Sequence, residues 1–381
     1  MQWVEPSGSP EESVLRSADS GDDLPERIQS ELFRIREAMR QGRHAEAVDG
    51  FEAMIARGEG AYVNWSALSS SYLALRRAAE ALQACQRGEE LGVDEPRLFM
   101  CKARALAALG QHAASIEVFD REFQRTGDIH SLFGALRLLV RAGDGAEVLR
   151  YCSLASDTHG DNTVLRAIRA IAYSMTGDRD AACALVDLDR HVAVASIEGR
   201  QSGDLVDFNA RLATEGRLLL DPSPDFTLIN EVHLPPPECS ALVELRSIVK
   251  TAVDSYVQEA SKRGLGHWLP SQLPPVRLRS GVTMVRAGGT AGQHIHRTSL
   301  FSIVYHVDVP EAVLVAKDGR GDLQIGAVEK FSGGHKACWG ERRVPAQPGQ
   351  LTIFPAHFFH DVIPTGVDPV RTSMVFDVIP A

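Results

Sequence analysis

His294 and His296 stand two residues apart in Gly292-Gln293-His294-Ile295-His296, where they open the β-branched and aromatic run SLFSIVYHV. Residues i and i+2 of a strand point to the same face, so the two imidazoles can converge on one ion. A divalent ion that keeps open positions for substrate needs a third protein ligand, and His360 is the candidate. The stretch Gly349-Gln350-Leu351-Thr352-Ile353-Phe354-Pro355 reads as a strand launched from a glycine turn. Pro355 marks a corner after it, and His360 begins the next strand. Eleven residues on comes Arg371, whose permanent charge and planar fork suit a carboxylate, with Ser373 on the same strand face.

Other residues of these types have plainer roles. Eight of the thirteen histidines fall after residue 200. His357 sits in a corner beside Phe358 and Phe359, and its i,i+3 spacing from His360 is poor strand geometry for sharing an ion. His306 can face either the site or solvent, and Tyr305 reads as a core or pocket-wall aromatic. His233 and His267 precede the strand run and are expected to pack or face solvent. His44, His112 and His130 lie in helical repeats and need no special role. For Arg371 the competing reading is a surface salt bridge to Asp368 or Asp377. Gly288-Gly289 is a turn signal without the strand–glycine loop–helix context of a phosphate site. Residues 317–344, with Trp339 and Gly333-Gly334-His335, read as a long polar loop that either covers a substrate mouth or is simply exposed to solvent.

Two kinds of element must position these residues. From about residue 30 to 198 the chain is rich in Ala, Leu, Arg and Glu, with apolar residues at helical spacing. The turn Gln41-Gly42-Arg43-His44-Ala45 recurs at Leu75-Arg76-Arg77-Ala78-Ala79, Leu109-Gly110-Gln111-His112-Ala113, Ala142-Gly143-Asp144-Gly145-Ala146 and Thr176-Gly177-Asp178-Arg179-Asp180. Those offsets are 34, 34, 33 and 34. Trp65, Leu68 and Tyr72 keep the Trp-x2-Leu-x3-Tyr spacing of the tetratricopeptide helix pair, Ser69 stands where that pattern has Gly, and Phe51, Cys85 and Phe119 fill one recurring apolar slot. After about residue 198 proline becomes frequent. One helical stretch remains, about 238–263, and the runs SGVTMVRA, SLFSIVYHVDV, GQLTIFP and RTSMVFDVIP read as strands.

Composition narrows the function classes. The 381 residues are 44% hydrophobic and 24% charged, which excludes wholesale disorder, collagen-like repeats and coiled-coil rods. A net charge of −10 argues against broad nucleic-acid binding. No apolar run approaches the roughly 18 residues of a membrane span, and the polar, acidic first residues do not form a signal peptide. The six cysteines contain no Cys-x-x-Cys pair, so a reducing cytoplasm is the simplest location.

The runs GVTMVRAGGTAGQHIHRTSLFSIVYHVDVP, PGQLTIFPAHFFHDVIP and PVRTSMVFDVIP resemble the bacterial iron(II)- and 2-oxoglutarate-dependent oxygenases that are often joined to tetratricopeptide repeats. The resemblance covers about residues 205–381. It implies a double-stranded β-helix (jelly roll) with a leading helix, placed after an all-α tetratricopeptide solenoid. The domains expected are a mobile tail over 1–28, helical repeats over 29–198 and the oxygenase-like β domain over 199–381. In the wider superfamily the metal is held by His-x-Asp/Glu and a distal His. Carried over, Fe(II) would sit on His294, His296 and His360, and the far carboxylate of 2-oxoglutarate on Arg371 and Ser373. His296 departs from the superfamily by replacing a carboxylate, although His-x-His is common in this subgroup.

With dioxygen as the further cosubstrate, the implied reaction is hydroxylation. The substrate expected is a peptide, protein or amino-acid-like molecule presented by the repeats, whose concave surface suits a peptide or protein best, with no nucleic acid and no membrane as partner. Two other readings predict different behaviour. A three-His metal dioxygenase without 2-oxoglutarate would leave Arg371 structural. A non-catalytic scaffold with a degenerate β-helix would bind no iron.

Overall fold

The computed structural model of the chain describes residues 1–3, 25–218, 227–232, 239–262, 273–285, 287–289, 292–368 and 370–381. Most of the expected 1–28 tail lies outside the described residues, as do His233 and His267. The two ends of that tail are built into the fold, contrary to expectation. Trp3 forms a parallel bridge with Val276 and donates its indole N–H to the Asp254 carboxylate at 3.1 Å, while helix α1 already begins at Glu26.

Two compact units divide the chain, Glu11–Leu138 and Leu139–Ala381 with Met1–Pro10, and the division falls within a single helix. The first unit holds the hairpins α1 (Glu26–Arg40) with α2 (His44–Ala56), α3 (Trp65–Ala74) with α4 (Ala78–Glu90), and α5 (Pro96–Ala108) with α6 (His112–Thr126). It also takes in most of α7 (Ile129–Ala142). The second helices of successive hairpins begin at His44, Ala78, His112, Gly145 and Arg179, the register read from the repeat.

The turn before each is closed by a left-handed residue. Gly42, Gly110, Gly143 and Gly177 have φ of 72°, 76°, 82° and 81°, and Arg76 adopts the same conformation at 61°. Phe51, Cys85 and Phe119 are buried, as are Trp65, Leu68 and Tyr72. A methyl group on Gly134 would lie 2.6 Å from the Phe119 ring, so a bare backbone is what lets α7 approach α6.

The second unit begins with helices α8 (Gly145–His159), α9 (Thr163–Thr176), α10 (Arg179–Leu185) and α11 (Leu188–His191), followed by β1 (Ala193–Ser196). Helix α12 (Leu205–Leu218) comes next, then β2 (Thr227–Val232) and α13 (Ser240–Lys262). Helix α12 corrects the expectation of one helical stretch after residue 198. Its N-terminus is marked by Asp204, whose carboxylate accepts from the amide of Val206 at 2.8 Å. Glu215 of α12 in turn accepts from the amides of Ala241 and Leu242, satisfying orphan donors at the start of α13.

Strands β3 (Val276–Val285), β4 (Phe301–Asp308), β5 (Leu323–Ile325), β6 (Arg342–Val344), β7 (Gln350–Pro355), β8 (His360–Val362) and β9 (Arg371–Pro380) follow, with a short helix α14 (Glu311–Ala316) between β4 and β5. They form a six-stranded sheet in the order β1-β7-β4-β9-β3-β2 and a three-stranded sheet in the order β6-β5-β8, all antiparallel. This is the double-stranded β-helix expected. Residues 317–344 are not wholly a loop, however: β5, β6 and a helical turn at Glu329–Ser332 interrupt them. Three-residue strands are too short to show a period of two.

The larger sheet has two different faces, as strand alternation requires. Phe301, Ile303, Tyr305 and Val307 of β4 and Met374, Phe376 and Val378 of β9 pack with Phe208 and Leu212 of α12 and Leu245 and Val249 of α13. The alternate residues of β9 and β4 (Arg371, Ser373, Asp377, Ser302 and His306) lie on the opposite face, and all are buried.

The change of composition near 198 falls inside this unit. Ala170 of α9 shares a core with Val304, Phe354 and Phe358, and Thr163 donates to the Ser299 carbonyl at 2.8 Å. Proline frequency reports which type of element a stretch forms. Buried faces decide which elements share a core.

Candidate metal centre

The segment carrying His294 and His296 is not part of a regular strand. His294 makes a single antiparallel bridge with His360 of β8, and the His296 amide donates to the Ala356 carbonyl at 3.1 Å. Those links suffice to turn both side chains inward. One nitrogen from each of His294, His296 and His360 lies within 4.8 Å of the others, a grouping that can hold a metal ion. The Nε2 atoms of His294 and His296 are 3.3 Å apart.

The opposite ring nitrogens explain the convergence. His294 Nδ1 lies 2.8 Å from the Gly292 carbonyl, His360 Nδ1 lies 3.1 Å from the Phe358 carbonyl, and His296 Nδ1 lies 2.5 Å from Asp377 Oδ1. Carbonyls and carboxylates only accept, so each Nδ1 carries the proton. The Nε2 lone pairs are left for a metal.

Burial, reinforced by the neighbouring imidazoles, lowers the pKa values of His294 and His360 below the usual range, His360 far below it. Both are neutral at pH 7, as ligation requires. Burial alone would raise the Asp377 carboxyl, but His296 and Arg279 outweigh it and hold it below the usual carboxylate range.

Arg371 is 1% exposed, which excludes the surface salt bridge. Among the described residues its hydrogen-bond partner is a neutral ring: Nη2 donates to His306 Nδ1 at 3.0 Å, and Nε has no partner. Burial pushes the guanidinium down to about 10, with Asp322 opposing, so the cation persists at neutral pH. Because Arg371 can only donate, the His306 proton resides on Nε2, which is also without a partner. Burial and then Arg371 keep His306 far below its ordinary pKa, hence neutral. Ser373 Oγ lies 3.3 Å from the same Nδ1. A buried guanidinium without a hydrogen-bonded carboxylate is a site that wants an anion.

All five predicted residues line one cavity of about 50 Å³. Thr283, Ser302 and the apolar side chains of Val304, Leu323, Val362 and Val375 complete its wall. His306 faces Arg371, Tyr305 donates to Asn209 on the other side of the sheet at 2.6 Å, and His357 is buried away from the triad with Nε2 2.9 Å from the Leu185 carbonyl. Asp377 escaped the sequence reading as a site residue, whereas His306, open there between site and solvent, lies on the site side against Arg371. Their strand parity with Ser373 and Ser302 was the available signal.

Residues 279–377 match the family described as "Putative 2OG-Fe(II) oxygenase". Comparison with curated proteins gives no match. Among solved structures, a Pseudomonas putida prolyl-4-hydroxylase is 18% identical, covers 51% of this chain and 96% of its own, and superposes with a TM-score of 0.34. A Trichoplax adhaerens prolyl hydroxylase, in complex with a hypoxia inducible factor oxygen degradation domain peptide, is 13% identical over 51% of this chain and 86% of its own, with a TM-score of 0.33. A tetratricopeptide repeat protein from Parabacteroides merdae is 12% identical over 64% of this chain and 94% of its own, with a TM-score of 0.37. The C-terminal part of the chain carries a 2OG-Fe(II) oxygenase domain, whose family implies iron(II), 2-oxoglutarate and dioxygen.

Proposed function

We propose that this 2-oxoglutarate-dependent dioxygenase hydroxylates a peptide or protein substrate gathered by its helical repeats, with His294, His296 and His360 as metal ligands and Arg371 and Ser373 as the anchor for 2-oxoglutarate. The observation that carries the assignment is the shared cavity: its wall holds three converging imidazoles together with a buried guanidinium that has no hydrogen-bonded carboxylate among the described residues. Iron(II) with 2-oxoglutarate and dioxygen supplies oxidation of an unactivated C–H bond coupled to decarboxylation of the cosubstrate.

The chain's own residues have distinct tasks. His294, His296 and His360 present imidazoles whose rings are already locked by their Nδ1 hydrogen bonds. Arg371 binds and orients the far carboxylate, and the Ser373 hydroxyl adds a donor. His306 holds the guanidinium fork in place while contributing no charge. Val304, Leu323, Val362 and Val375 keep the cavity apolar and limit water.

A peptide substrate is supported by the hairpin array, since stacked repeats create extended binding surfaces and raise the local concentration of what they hold. A cytoplasmic location accords with six unpaired cysteines. Among the described residues no helix is long and apolar enough to cross a membrane.

Anaerobic addition of Fe(II) and then 2-oxoglutarate to the full chain tests the assignment. A visible charge-transfer band, lost in His360→Ala, is expected. Iron bound without a band would establish the three-His reading, and no iron would establish a scaffold. Incubation with peptide pools in air then tests the substrate class through succinate release and a mass gain of one oxygen atom. Oxidation of free amino acids alone would overturn it.

A further inference from the structure

We infer that Asp377 is a positioning residue of the metal centre, acting through His296 to supply the negative charge that the three imidazoles lack. The inference rests on the ligand assignment proposed above. Of the three acceptors that fix the histidine rings, two are neutral peptide carbonyls, Gly292 and Phe358, and Asp377 alone is charged.

The carboxylate is itself held from two sides. Oδ2 accepts from Arg279 Nη2 at 2.7 Å, and Oδ1 accepts from Ser302 Oγ at 3.3 Å as well as from His296. Asp377 is 7% exposed on the inward face of β9, and Arg279 stands directly across from it on β3 in the strand register. Burying a carboxylate is costly unless its lone pairs are filled. Here they are filled by a fixed cation, a hydroxyl and a metal-facing imidazole.

Two consequences follow for His296. A carboxylate on Nδ1–H fixes the tautomer and the ring plane, so the Nε2 lone pair is aimed before a metal arrives. It also makes Nε2 a better electron donor than an imidazole hydrogen-bonded to a carbonyl. Asp377 would thus strengthen His296 as a ligand and place a negative charge beside a site whose ligands are imidazoles.

Metal binding to the full chain is the test, measured by calorimetry with Fe(II) under anaerobic conditions and with Zn(II). Asp377→Asn keeps the shape and an acceptor but removes the charge. It is expected to weaken both metals about 10–100-fold, while the metal-free chain remains folded. Zn(II)-loaded wild-type protein supplies a second readout that needs no variant. Its His296 Nδ1–H proton resonance should lie further downfield than those of His294 and His360. Affinity unchanged to within about twofold in a folded Asp377→Asn chain, well below the usual outer-partner effect, would overturn the inference alone. So would a His296 resonance no different from the other two. A wild-type chain that takes up neither metal would overturn the ligand assignment and this inference together.

Discussion

His294 and His360 exchange both of their backbone hydrogen bonds, the His294 amide to the His360 carbonyl at 3.1 Å and the reverse at 3.0 Å. One bridge between two distant segments sets two candidate ligands directly opposite each other, with ring centroids 4.2 Å apart. A slip of one residue would turn one ring to the other face. The geometry of the centre is therefore a property of sheet register, and the polar hydrogen bonds refine it.

Arg371→Lys retains the charge and loses the fork that reaches His306 Nδ1. Loss of one charge-assisted hydrogen bond, about 1.5–3 kcal/mol, corresponds to roughly a 10–150-fold higher requirement for 2-oxoglutarate. Fe(II) affinity without cosubstrate should not change. The charge-transfer titration reads both quantities, and equal losses in the two would show that Arg371 acts through the fold.

His357 makes stability depend on pH. Burial pushes it down to about 3, with the Leu185 carbonyl opposing, whereas it titrates near 6.5 when unfolded. The unfolded chain thus binds the extra proton between those values. The stabilisation is fully present above pH 6.5 and is lost as the pH falls towards 3. In that window His357→Gln should reduce the slope of unfolding free energy against pH by about 1.4 kcal/mol per unit. Urea unfolding of metal-free protein at several pH values gives that slope, and an unchanged slope would contradict the burial argument.

Arg76 occupies the left-handed turn position that the other four repeats give to glycine. Arg76→Gly removes a strain of roughly 1–2 kcal/mol and adds about 0.5–1 kcal/mol of unfolded-state entropy. The net expectation is a chain more stable by about 0.5–1 kcal/mol, seen as a higher urea midpoint at constant slope.

Gly134→Ala places a methyl group 2.6 Å from the Phe119 ring. It should destabilise the repeats by about 1–3 kcal/mol. Adding Phe119→Leu should recover part of that loss, and a double-mutant cycle would show the coupling. Strict additivity would place the cost elsewhere.

Much was legible before any coordinates. Residue type and spacing alone marked His294, His296, His360, Arg371 and Ser373, and all five line one cavity. A period of about 34 placed the start of every second helix from His44 to Arg179, because the turn between paired helices imposes its own local chemistry. The short strands β5 and β6 and helix α12 were missed. Three residues carry no period, and α12 announces itself only by Asp204 and an apolar spacing that a proline-rich neighbourhood obscured.

Residue types and their local order set which side chains are chemically equipped for a metal and an anion, and which stretches coil or extend. Those properties reside in single residues and in contacts a few positions apart. Long-range packing sets the rest: Asp377 holds His296, His306 turns inward to Arg371, and the last helical hairpins share a core with the β domain. Each of these depends on strand register, or on faces buried between segments far apart in the chain. Such pairings leave no mark on the spacing of any one segment, because the energy that selects them is that of filling a common interior.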